Sequence, residues 1–84
     1  MIKKTFTVMK HKVTIKETEK GWEAEIACPS ADKMFKYKVV CADISDVRSE
    51  LHELANNNDV GNAISRKIYD WYYTEIEPRV DMVM

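Results

Sequence analysis

The chain has 84 residues, of which 45% are hydrophobic and 32% are charged, and it contains only two glycines and two prolines. This composition is globular and excludes a disordered tail, a collagen-like repeat or a linker. Thirteen lysines and arginines against fourteen aspartates and glutamates give a net charge of -1, so no overall positive charge attracts the chain to nucleic acid or to an anionic membrane. We expect one domain, residues 1–84, because the length leaves no room for a second core.

Two features of the sequence bear on the compartment. The longest apolar runs, such as residues 39–42, are far shorter than the roughly 20 residues that a membrane-spanning helix needs, so no membrane partner is expected. The N-terminal segment alternates polar and apolar residues and soon reaches Lys10 and Lys12, which is typical of a strand and not of an export signal. Two cysteines without an export signal predict reduced thiols and a cytoplasmic protein.

The first forty residues alternate with a period of two, which predicts β-strands. Apolar residues fall on even numbers in residues 5–8 but on odd numbers at Val13 and Ile15, so a turn or bulge is expected near Lys10 and His11. Gly21 and the polar cluster at residues 29–33 predict two further turns. The strands between these turns form a three-stranded antiparallel meander, with a fourth strand at the N-terminus as the alternative.

The alternation also predicts a register for the meander. Placing Val13 opposite Ile26, and Ile26 opposite Tyr37, directs one face of the sheet toward the helices. The residues expected in that buried face are Trp22, Ile26, Phe35, Tyr37 and Val39. On the opposite face the register sets Lys16 beside Glu23 and Lys38 beside Glu25, so that the acidic middle strand neutralises most of the lysines.

The period changes to 3.6 residues from Asp43 onward, which predicts two helices. The first helix is expected to end near Asn56, and the run of asparagines and aspartate at residues 56–59 caps both helices and joins them. The second helix is expected from about Val60 to Ile76, before Pro78. Residues 80–84 alternate weakly and are interpreted as an edge strand or a frayed tail. The predicted fold is therefore a two-layer α+β domain, a three- or four-stranded meander packed against two C-terminal helices.

Residues suited to catalysis or to metal binding do not form a recognisable pattern. The sequence has no glycine-flanked nucleophile, no glycine-rich phosphate loop and no closely spaced set of metal ligands. Cys28 and Cys41 fall at opposite ends of a hairpin, too far apart for a disulfide, and are expected to be small core residues. His11 and His52 are interpreted as turn and surface residues. We therefore expect no enzyme activity, no cofactor and no metal.

The second helix carries more apolar surface than docking on a sheet requires. Ile64, Ile68 and Trp71 are sufficient for docking, yet the apolar arc continues well beyond the roughly 100° that a surface helix buries. Tyrosine and arginine dominate interface energetics. The candidate protein-binding patch on this extended arc consists of Arg66, Tyr69, Tyr73 and Ile76. Two alternatives are that helix one or residues 80–84 cover the tyrosines, or that the chain self-associates as a homodimer through this patch.

These observations favour a small intracellular protein-binding module, an inhibitor or regulator of a larger protein or complex, of the size of antitoxins and phage-encoded regulators. The alternative is a nucleic-acid-binding protein that uses the N-terminal lysines Lys3, Lys4, Lys10 and Lys12, extended by Lys33 and Lys36.

Overall fold

The computed structural model describes residues 2–55 and 57–76. Four strands, β1 (Lys3–Val8), β2 (His11–Thr18), β3 (Gly21–Ser30) and β4 (Lys33–Cys41), precede the helices α1 (Ile44–Leu54) and α2 (Asn58–Trp71) and a π-helical turn (Tyr72–Ile76). The strands form one antiparallel sheet in the order β1-β2-β3-β4. The predicted α+β fold is confirmed, with four strands and two C-terminal helices. The interpretation of residues 80–84 as a strand or a tail lies outside the described residues.

The turns between the strands lie where the sequence predicts them. Met9 and Lys10 form a two-residue loop in which both backbones have positive φ, 45° and 69°, as in a type I′ hairpin turn. Gly21 has φ 139°, and a side chain there would collide with the backbone of Cys41 and Ala42. The phase change between β1 and β2 is therefore a tight hairpin and not a bulge.

The register of the meander is the predicted one, but one ion pair differs. Val13 is opposite Ile26, and Ile26 is opposite Tyr37. Although Lys38 is directly opposite Glu25, its ammonium group lies 2.6 Å from the Glu23 carboxylate. Lys16 lies 2.9 Å from the other oxygen of the same carboxylate. The predicted placement of Lys38 beside Glu25 is therefore confirmed, but the Glu23 carboxylate forms the ion pairs with both lysines.

The core lies between the sheet and the two helices. Its fully buried side chains come from β2, β3, α1 and α2: Val13, Ile15, Ala24, Ile26, Val47, Leu51, Ile64 and Ile68. Burying a side chain of this size contributes about 1.5–3 kcal/mol to folding. At one end of the core, Trp22 of β3 and Trp71 of α2 meet edge to face, with their ring centroids 6.0 Å apart.

Phe35 and Tyr37 of β4 are not part of the core, which corrects the predicted buried face. Their register partners, Cys28 and Ile26, are buried, yet Phe35 is 46% exposed and Tyr37 42% exposed. The reason is the length of α1, which at 1.5 Å per residue spans about 16 Å, whereas β4 spans about 30 Å. In the first half of β4, the side chains that point toward the helix side of the sheet therefore have little of α1 above them.

The two helices are joined by a capped turn and a close crossing. The Asn57 side chain accepts hydrogen bonds from the backbone N–H groups of Asp59 and Val60, which is the predicted N-cap of α2. At Gly61 the helices approach so closely that a Cβ atom would lie 2.9 Å from the His52 ring. His52 is half-buried and its Nε2 lies 3.0 Å from Asn62 Oδ1, so it bridges α1 and α2 and is not the surface residue that the sequence suggested.

In the described part of the chain, no helix has the length and apolar character needed to cross a bilayer.

Candidate protein-binding surface

Two tyrosines form an exposed aromatic pair at the end of the helical segment. Tyr69 and Tyr73 are four residues apart, which places them on the same side of the helix. Their ring centroids are 4.3 Å apart, and each residue is 46% exposed. Tyr72, which is half-buried, meets the Tyr73 ring edge to face at 5.5 Å. The pair therefore presents a large apolar area whose ring positions are restricted by neighbouring aromatic groups.

Arg48 of α1 supports this pair from the neighbouring helix. Its guanidinium carbon lies 5.2 Å from the centroid of the Tyr69 ring, within the range of a cation–π interaction. The Arg48 Nε atom is buried and has no hydrogen-bond partner among the described residues. Sequence analysis missed Arg48 because its position next to Tyr69 depends on the crossing of the two helices. We call Arg48, Tyr69 and Tyr73 the tyrosine surface.

Of the other two residues in the predicted patch, one lies near the tyrosines and one does not. Arg66 is exposed and precedes Tyr69 by three residues, which places it on the same side of α2. Ile76 is only 6% exposed and packs in the core, so its assignment to the patch is corrected. The physical reason is the π-helical turn, whose i→i+5 hydrogen bonds put more residues in each turn. The added residue rotates Ile76 away from the tyrosines and toward the core.

The lysines of the alternative site do not converge on one surface. Lys3 and Lys12 lie on the face of the sheet away from the helices. Lys3 of β1 is opposite Lys16 of β2, and Lys12 of β2 is opposite Thr7 of β1. Lys4 is opposite the buried Ile15 and so lies on the other face. Lys10 lies in the β1–β2 turn.

The face of the sheet away from the helices is nevertheless basic. It holds five lysines and two glutamates: Lys3, Lys12, Lys16, Lys36, Lys38, Glu23 and Glu25. Hydrogen bonds from Lys16 and then from Lys38 lower the pKa of Glu23 below its usual range. The hydrogen bond between Lys38 and Glu23 also raises the pKa of Lys38. Lys12 and Lys36 flank Ala27 and form no ion pair with any described residue.

Both cysteine thiols lie in surroundings that disfavour their ionisation. Burial raises the pKa of both cysteine thiols, which disfavours the reactive thiolate. The Cys28 thiol donates a weak hydrogen bond to the Leu54 carbonyl oxygen at 3.5 Å, and both cysteines are free. Within residues 2–55 and 57–76, no cluster of side chains could hold a metal ion.

Comparison of the chain with protein-family models, with curated proteins and with solved structures gives no match. The side chains and their arrangement are therefore the basis on which a function is assigned.

Proposed function

We propose that the chain is a small protein-binding module that acts as an inhibitor or regulator of a larger protein or complex in the cytoplasm. The observation that carries this proposal is the stacked pair of Tyr69 and Tyr73, 4.3 Å apart and each 46% exposed. Tyrosine and arginine are enriched among the residues that dominate binding energy, and tyrosine buries a large area at little cost in side-chain entropy.

The contacts around the pair support a binding role. Arg48 lies against one ring and Tyr72 against the other, so little conformational freedom remains to be lost on binding. The exposed Arg66 adds a charged group beside the rings and can make a bidentate contact with a carboxylate of the partner. The partner is a different protein or, through α2, a second copy of the chain.

A pull-down from nuclease-treated lysate tests the proposal with two double variants. The variant Tyr69→Ala, Tyr73→Ala removes the tyrosine surface. The control variant Met9→Ala, Val40→Ala removes two exposed apolar side chains elsewhere on the sheet. We expect a specific protein to be retained by the wild type and by the control variant and to be lost by the tyrosine variant. Equal retention by all three folded proteins would exclude the tyrosine surface as the binding site.

A second candidate function is nucleic-acid binding on the basic face of the sheet. The observation that favours it is the excess of five lysines over two glutamates on that face, with Lys12 and Lys36 free of ion pairs among the described residues. Phosphate contacts release counterions, so binding of a fluorescent oligonucleotide should weaken steeply as salt increases. A Lys12→Glu, Lys36→Glu variant should reduce that salt dependence. If the wild type does not bind the oligonucleotide at low salt, this function is excluded.

A further inference from the structure

The first half of β4 is an edge strand whose inner face is open. Phe35 and Tyr37, which lie on this face, are 46% and 42% exposed, and among the described residues β4 has a neighbouring strand on one side only. The backbone N–H and C=O groups of alternate residues in an edge strand point away from the sheet without a partner. This part of β4 therefore offers both apolar side chains and free backbone hydrogen-bonding groups.

A groove of about 600 Å³ runs beside these residues. Phe35 and Tyr37 line it on the sheet side, and Glu53 and Leu54 line it at the C-terminal end of α1. His11 also lines the groove. Cys28 and Pro29 of β3 also line the groove, so it lies over the helix side of β3 and β4. Within the described residues β4 is the last strand of the sheet, so another extended segment can approach it from that edge.

The charges around β4 specify what kind of segment fits. The strand contains three lysines and no acidic residue. Lys38 is paired with Glu23, whereas Lys36 forms no ion pair with a described residue and lies on the face away from the helices. On the groove side, Glu53 disfavours a second carboxylate. An added strand would therefore need apolar side chains toward the groove and carboxylates toward Lys36.

We propose that β4 binds an extended segment of a partner protein as a fifth strand, and that this segment alternates apolar and acidic side chains. Its apolar side chains would contact Phe35 and Tyr37, its carboxylates would face Lys36, and its backbone would hydrogen-bond to the edge, the mode known as β-augmentation. A second copy of β4 is a poorer occupant, because antiparallel pairing centred on Lys36 or Tyr37 would place lysines opposite lysines. This site is separate from the tyrosine surface and does not depend on it.

The test uses short capped peptides and the full-length chain labelled with ¹⁵N. In the first peptide valine alternates with glutamate, in the second valine alternates with lysine, and in the third the valines and glutamates of the first are grouped in two blocks. We expect the alternating glutamate peptide to shift the amide signals of residues 33–38 and Leu54 and to slow hydrogen exchange at alternate amides of β4. The Lys36→Glu variant should bind the glutamate peptide about two- to fivefold more weakly and the lysine peptide more tightly. The control Lys12→Glu, which makes the same charge change on the far side of Ala27, should bind both peptides as the wild type does.

Several results would overturn the proposal. One is an equal response to the alternating and blocked peptides, and another is a set of shifts centred on Tyr69 and Tyr73. Binding that appears only after residues 77–84 are deleted would mean that the chain's own C-terminal segment occupies the edge. Dimerisation of the free chain through β4, seen by sedimentation and abolished by Lys36→Pro, would mean that a second copy does. The variant Tyr69→Ala, Tyr73→Ala should bind the peptides as the wild type does. Peptide binding therefore tests the β4 site, whereas the pull-down tests the tyrosine surface, and the two proposals can fail separately.

Discussion

Arg48 of α1 lies over the ring of Tyr69 of α2, with its guanidinium carbon 5.2 Å from the ring centroid. This contact links the two helices at their outer surface and holds the exposed tyrosine in place. The Arg48 Nε atom is buried without a hydrogen-bond partner among the described residues, so within this part of the chain the contact with the Tyr69 ring is the interaction that positions the guanidinium group.

The first prediction concerns the energetic role of this arginine. Arg48→Ala removes a cation–π contact worth about 0.5–1 kcal/mol at an exposed site and an Nε donor that has no hydrogen-bond partner among the described residues, so thermal stability should change little. Partner binding should weaken, because the Tyr69 ring loses its support. Lys67→Ala, at an exposed position of α2 outside the predicted patch, is the control for the loss of one positive charge, and it should leave both partner binding and stability, within about 0.5 kcal/mol, as in the wild type. A large loss of stability for Arg48→Ala, measured by urea denaturation, would contradict this interpretation.

The second prediction tests the placement of Ile76. Since Ile76 is buried, Ile76→Ala should destabilise the protein by about 2–5 kcal/mol. Tyr73→Ala, three residues earlier and 46% exposed, should cost much less. Urea denaturation of both variants measures the difference. If Ile76→Ala were as mild as Tyr73→Ala, the π-helical turn would not direct Ile76 into the core.

The third prediction is a pH dependence that arises from Glu23. Lys16 and Lys38 lower the pKa of this carboxylate in the folded protein, so folding favours its charged form. The resulting stability is present above the ordinary glutamate pKa and is lost as the pH falls below it and through the lowered pKa of Glu23. The melting temperature of Glu23→Gln should therefore be lower than that of the wild type at neutral pH, and the difference should shrink on acidification. Glu25→Gln, on the same strand and without an ion pair among the described residues, should show no such convergence.

The fourth prediction concerns the hairpin between β1 and β2. Met9 and Lys10 adopt positive φ, a conformation that costs an ordinary L-residue about 1–2 kcal/mol. Met9→Asn with Lys10→Gly supplies the residues that a type I′ turn favours and should stabilise the fold by about 1 kcal/mol or more. Lys20→Gly is the control, because Lys20 is not among the positive-φ residues, and it should give no gain. Thermal denaturation that shows equal effects in the two turns would contradict the assigned turn geometry.

The sequence predicted the sheet better than it predicted what covers the sheet. Alternation of side chains and the turn residues determine which residue of one strand faces which residue of the next, and the pairing of Ile26 with Tyr37 is confirmed. Alternation also identified the face of Phe35 and Tyr37, but it contains no information about how far a helix extends over that face. Burial of β4 depends on the relative length and direction of α1, which are tertiary properties.

The candidate binding surface could be predicted only where it depends on local spacing along one helix. The spacing of Tyr69 and Tyr73 on one helix is local, so the helical wheel places them together. Ile76 was assigned to the wrong side because the wheel assumes a regular α-helix, whereas residues 72–76 form a π-helical turn. Arg48 could not be identified at all, since its contact with Tyr69 joins residues 21 positions apart in the chain.

The most direct measurement of the central claim is site-specific photo-crosslinking in cells. A benzoyl-phenylalanine residue replaces Tyr73 in one protein and the exposed Glu19 of the β2–β3 turn in another. After irradiation and nuclease treatment, mass spectrometry identifies any adducts. We predict a discrete protein adduct at position 73 and none at position 19. Absence of an adduct at position 73, or the same adducts at both positions, would contradict a binding role for the tyrosine surface.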